Sequence, residues 1–187
     1  MPVTTLDPKT ALIVVDLQKG ILNAPFIHPV AGVIERTCAL IDAFRQRDLP
    51  VVLVNVTGGA PDRTEQPPRI STFPEGFSDL IPELHRQASD IVVTKRTWGS
   101  FASTDLEAQL KAKGVTQVVV TGVVTGTGVE ATARQAYEQG FNVTLALDAM
   151  IDVRPEAHEY SLRSVFLRLG ETGSTLDILN LPATRSA

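Results

Sequence analysis

Three stretches of this 187-residue chain place chemically capable side chains directly after apolar, β-branched runs. Residues 11–15 (ALIVV) end in Asp16, with Gln18 two positions on. Residues 91–94 (IVVT) end in Lys95, followed by Arg96, Trp98 and Phe101. Residues 118–121 (VVVT) open into GVVTGTG at 122–128, which leads into the start of a helix. If these runs are neighbouring strands, a carboxylate, an ammonium group and helix-start amides meet in one small volume. An Asp and a Lys side by side stabilise each other's charged forms. Free backbone N–H groups at a helix start favour an oxyanion. Such an assembly suits acid–base chemistry beside a polarised oxygen. Gln18, Trp98 and Phe101 are placed to shape a pocket. Each residue alone has a plainer use, since a lone Asp ties down a loop and a lone Lys is solvated. The pair at two strand ends carries the functional reading.

The elements that must position these groups are legible as an alternation. Residues 51–56 (VVLVNV) and 142–147 (NVTLAL) supply two more apolar runs. All five runs are nearly continuous rather than alternating, as in strands buried on both faces of a parallel sheet. Between them, Val30, Val33, Ile34, Cys38, Ile41 and Phe44 recur at helical spacing and predict a helix of about 18 residues. Thr104 with Glu107, and Thr127 with Glu130, have capping-box spacing and predict two further helix starts, closed by Gly114 and Gly140. Pro155 opens a fourth helix reaching about Phe166. The expected fold is a three-layer α/β domain spanning 1–187, with a doubly wound, mostly parallel sheet. The proline- and glycine-rich stretch 57–76 reads as a long irregular loop.

Composition narrows the classes. Seventeen basic residues against 21 acidic ones give a net charge of −4, without the dense cationic face that nucleic acid or an anionic membrane requires. The single cysteine, Cys38, lies on the apolar stripe of the first helix, reads as an inert core residue, and excludes an internal disulfide. No apolar run is long enough to span a bilayer and the first residues lack a signal-peptide core, so a cytoplasmic protein is expected. Gly126-x-Gly128-x-x-Ala131, with Asp148 twenty residues past Gly128, formally matches a dinucleotide fingerprint. Three residues intervene between Gly122 and the first glycine of that pattern, and the unit is the fourth rather than the first. No nicotinamide cofactor is therefore expected.

The set Asp16-x-Gln18, Lys95 and the block TGVVTGTGVEATARQAYEQGFNVTLALDAM resembles the isochorismatase-like hydrolases, from about residue 10 to 179. The resemblance implies about six mostly parallel strands flanked by helices, a homo-oligomer, a small-molecule substrate, and a cis peptide at Val123–Val124 that helps aim amides, those of Val124 and Gly128, at an oxygen of the substrate. It implies a catalytic Asp at Asp16 and a catalytic Lys at Lys95. The amidase members carry a nucleophilic Cys at the position matching Gly128, so thioester chemistry is not expected here. The isochorismatases proper resemble this chain in having Gly there. Their reaction protonates a vinyl ether and adds water, a task for Asp16 if burial raises its pKa. They also carry a tyrosine where this chain has Val124 and a glutamine where Thr57 falls, which points to a different substrate. Two other readings stay open: an inactive member that keeps a binding or structural role, and a cysteine hydrolase inactivated by substitution at Gly128. Nicotinamidases hold a metal with an Asp and two His after the second strand. NVTGGAPD offers no histidine there, and His28, His85 and His158 are scattered without ligand spacing, so no metal site is expected.

Overall fold

The computed structural model describes residues 2–59, 63–65 and 73–182. Six strands, β1 (Thr10–Val15), β2 (Val51–Val56), β3 (Ile91–Lys95), β4 (Gln117–Val123), β5 (Asn142–Ile151) and β6 (Glu171–Gly173), form one sheet in the order β3-β2-β1-β4-β5-β6. Every pairing is parallel. Chain order runs outward from β1 in one direction and from β4 in the other, so the topological switch lies between those two strands. In open α/β sheets, ligands bind beyond the strand carboxyl ends at that point.

Two apolar layers hold the sheet because the central strands are buried on both faces. Leu12, Val14, Leu53 and Val119 pack against α1 (Ala31–Gln46), through Val33, Leu40, Ile41 and Phe44, and against Ile178. Ile13, Val15, Val54, Val93 and Val120 pack on the other face against α2 (Leu106–Ala112), α3 (Glu130–Glu138) and the later helices. Pro155 does begin a helix, α4 (Pro155–Tyr160). A π-type turn at Ser161–Val165 separates it from α5 (Phe166–Leu169), and α6 (Thr175–Leu179) follows β6.

Cys38 is half-buried rather than a core residue, and its Sγ donates to Glu83 O at 3.2 Å. Burial first, then the Asp42 and Glu83 carboxylates, push its thiol pKa up, which leaves it a poor nucleophile. Neither expected capping box forms. Thr104 Oγ1 accepts from Leu106 N at 3.2 Å, but Asp105 is the N-cap of α2. Ahead of α3 a π-type turn at Thr125–Val129 enters three residues before Gly128, and Glu130 bonds Ser161 and Arg134 instead. Gly114 and Gly140 close α2 and α3 in the left-handed region as expected. Within 57–76 the described residues contain no helix or strand, while Pro61, Pro67 and Pro68 lie outside them.

Candidate functional site

Alternation along β1 puts Ile13 and Val15 on the α3 face and Leu12 and Val14 on the α1 face. Asp16 would therefore be expected on the α1 face. Its φ of +54° turns the chain out of the strand and brings the carboxylate to the α3 face, a left-handed conformation that Asp tolerates better than most residues. There Lys95 Nζ donates to Asp16 Oδ2 at 2.7 Å and to Thr97 O at 3.3 Å. β3 is not a neighbour of β1, since β2 lies between them. A separation of roughly 10 Å across two strand spacings is one that a long lysine side chain can bridge and a shorter cation cannot.

This ion pair lies almost out of contact with water, with Asp16 4% and Lys95 2% exposed. Asp16 Oδ1 is buried with no hydrogen-bond partner. Burial raises the Asp16 pKa to about 6, against the opposing charge and hydrogen bond of Lys95. Replacing Lys95 with Met removes both opposing influences. Lys95→Met is therefore expected to move the Asp16 pKa above 6 in a ¹³C-carboxyl NMR titration. An unchanged value would mean that the pair is not made in solution.

Gly128 stands against this carboxylate. A Cβ there would lie 3.1 Å from Asp16 Oδ2 and 3.3 Å from Val123 O. The Val123–Val124 peptide that leads into the turn is cis, and Val124 is extended. Val124 O accepts from Thr127 N at 3.1 Å and from Val129 N at 3.2 Å, which folds the turn back on itself.

Gln18 is fully used by the backbone. Its Nε2 donates to Val56 O at 3.1 Å and Phe77 O at 3.0 Å, and its Oε1 accepts from Val56 N at 2.7 Å. It straps the end of β2 and the Phe77 segment to β1 instead of presenting a free amide to a ligand. Phe101 lies in the core against Phe141, with ring centroids 5.9 Å apart, and does not wall the site. Trp98 is 70% exposed and Arg96 is exposed as well. The Trp98 loop is held from α3, where Gln135 Oε1 accepts from Phe101 N at 2.9 Å and Ala102 N at 3.3 Å.

Asp152 escaped the sequence reading. It is fully buried just past β5, and its Oδ2 accepts from Gly126 N at 2.7 Å, capping the turn that leads to Gly128. Its other oxygen takes Val153 N and Arg154 N. Asp152 follows a strand as Asp16 does, but the apolar run at residues 142–147 stops five positions short of it. Asp148 lies in an irregular stretch of β5, where it accepts from Thr175 N and Oγ1 and pairs with Arg36 at 3.2 Å. Those partners give it a structural use in place of the ribose contact a dinucleotide fingerprint demands.

Among the described residues, no group of three or more His, Cys, Asp or Glu side chains could hold a metal ion, and no helix is long and apolar enough to cross a membrane.

A family model described as the isochorismatase domain matches residues 10–177. The chain is 36% identical over 178 residues to an uncharacterized isochorismatase family protein of Bacillus subtilis (strain 168), covering 91% of this chain and 93% of that one. It is 39% identical over 181 residues to another from Escherichia coli O157:H7, with 91% and 95% covered. The solved structure of an isochorismatase family protein from Burkholderia thailandensis matches with a TM-score of 0.88 at 38% identity, covering 94% of this chain and 96% of that one.

Proposed function

The chain belongs to the isochorismatase family of hydrolases, and from that premise we propose that it hydrolyses a small-molecule enol ether with Asp16 as the acid and no covalent nucleophile. One observation carries the reading: a buried carboxyl with a pKa near 6 and an unpartnered oxygen faces a glycine that offers no reactive atom. In its protonated form, Asp16 gives its proton to the terminal vinyl carbon. The ether carbon becomes an oxocarbenium ion, water adds to it, and the proton released by that water returns to the Asp16 carboxylate. The hemiketal then collapses to a ketone and an alcohol, so one water is consumed and Asp16 is regenerated. Lys95 keeps the carboxylate form from becoming too costly. The amides of Val124 and Gly128 bind an oxygen of the substrate. In this reading the protein is a homo-oligomer.

The test is a hydrolysis screen of enol ethers scored by release of a 2-oxo acid, with amides, carbamoyl compounds and simple esters alongside. Turnover confined to enol ethers is the expected result. Amide or ester turnover would replace the proposed chemistry, and no turnover on any class would favour a binding role.

A second reading, in which Gly128 stands where a thiol once worked, has its own support in the 3.1 Å between a Cβ there and Asp16 Oδ2. A thiol introduced at this position would sit beside a carboxylate able to take its proton. Under this reading Gly128→Cys gains amidase turnover above the unsubstituted protein. Under the proposed reading it fills the site and lowers enol-ether turnover, and the same assay panel reads both.

A further inference from the structure

The proposed chemistry leaves one pair unused, a buried hydroxyl and a half-buried imidazole. Thr125, the first residue of the turn that carries Gly128, is fully buried. Its Oγ1 lies 2.9 Å from Nδ1 of His158 on α4, and among the described residues this is the hydroxyl's one hydrogen-bond partner. A hydroxyl that donates to this nitrogen satisfies its own hydrogen and the ring's lone pair together. In that arrangement the neutral His158 ring presents a bare Nδ1 and carries its proton on Nε2. α4 meets the same turn at a second point, since a Cβ on Gly126 would lie 3.0 Å from the Ala157 side chain. Asp152, immediately before α4, binds the Gly126 N–H.

We infer that Thr125 and His158 are positioning residues for the turn that carries Val124 and Gly128, and that protonation of His158 moves this turn. An imidazolium has a proton on Nδ1, so the hydrogen bond reverses: the ring donates to Thr125 Oγ1, and the hydroxyl hydrogen, turned away from the ring, has no other acceptor among the described residues. The buried hydroxyl is left with an unsatisfied hydrogen, a cost that a shift of the Thr125 side chain or of α4 relieves. Either movement passes to Gly128 through a five-residue turn tied at both Thr127 N and Val129 N to one carbonyl, that of Val124. The groups facing His158 set where this happens. Burial holds its pKa below the usual histidine value, Asp152 beyond β5 and Glu159 on α4 oppose that, and His28 ahead of α1 reinforces it. The consequence for turnover rests on the proposed function; the coupling between His158 and Gly128 does not.

Nitrogen-15 NMR from pH 4.5 to 8 tests it on the full chain without any substrate. At high pH the His158 ring is expected to show the Nε2–H tautomer. The Gly126 and Gly128 amide shifts are expected to move with the His158 midpoint. A parallel titration of Asp16→Asn separates the response of Gly128 to Asp16. His158→Gln, which can accept from Thr125 but cannot titrate, should keep the high-pH shifts of Gly128 and lose their pH dependence. Thr125→Ser should preserve the response and Thr125→Val should remove it. An Nδ1–H tautomer, a Gly128 amide that stays flat while His158 titrates, or a response surviving in Thr125→Val would each overturn the inference. A failed hydrolysis screen leaves all of these readings in force, so the two proposals fail separately.

Discussion

Asp16→Asn is expected to lower turnover of an enol-ether substrate by about 10²–10⁴-fold, the range supplied by a positioned general acid. Asparagine keeps the size of the side chain and a polar oxygen for Lys95, so the loss would report the missing proton more than a collapsed site. The pH dependence makes the test sharper. An acid works in its protonated form, so the wild-type rate should be level well below pH 6 and fall about tenfold per unit above it. A rate that instead rises through pH 6 would make Asp16 a base, and the proton-donating mechanism would be wrong.

The same raised pKa has a consequence for folding. The native Asp16 binds its proton more tightly than the ordinary carboxyl of the unfolded chain, at about 6 against 3.8. Its contribution is fully present below pH 3.8 and is lost as pH rises through 6, a difference of roughly 3 kcal/mol. At neutral pH the fold therefore carries a buried carboxylate that its stability would be better without. Strain of this kind concentrates where a site needs a carboxyl poised near its working pH.

What the sequence reveals of this site follows from the type of feature that builds it. The runs ending in Asp16 and Lys95 are both continuous, apolar and β-branched, which makes the placement of the two side chains at strand ends legible; two-sided burial holds for β1 but not for β3, an edge strand whose Thr94 is exposed. β6 was not legible as a run, because Glu171, Thr172 and Gly173 are short, polar and only half-buried. Phe101 and Gln18 show a different limit. Spacing places them near the site, but direction decides their use, and direction depends on backbone turns that periodicity does not encode. Phe101 turns inward to Phe141, and Gln18 spends its amide on Val56 and Phe77. The helix start failed for a related reason. Thr127 and Glu130 have the right local spacing, but Asp152, distant in sequence, supplies the cap, so a tertiary contact overrides the local motif.

Gly122→Ala is expected to cost the fold on the order of 4 kcal/mol or more, the exceptional end of single-substitution effects. Two causes combine. Gly122 has φ +114°, and an added Cβ would lie 2.1 Å from Val15 O and 2.7 Å from Val15 N. Both atoms belong to the backbone of β1, which is paired with β4 at this position, so no flexible side chain can yield. Relief requires β1 and β4 to separate at the topological switch, directly before Asp16. For a chain of this length the cost corresponds to a fall of roughly 10 °C in melting temperature. Gly140→Ala is the control. It too has a positive φ, +83°, but nothing lies within 4 Å of its Cβ position, so it should cost only about 1 kcal/mol. Equal losses in the two variants would assign the whole effect to backbone conformation and refute the close approach of β1 to β4. A much larger loss at Gly122 would show that the glycine sets the spacing between the strand delivering Asp16 and the strand delivering Gly128. The distance across the site would then be fixed one residue before the acid, by the absence of a side chain.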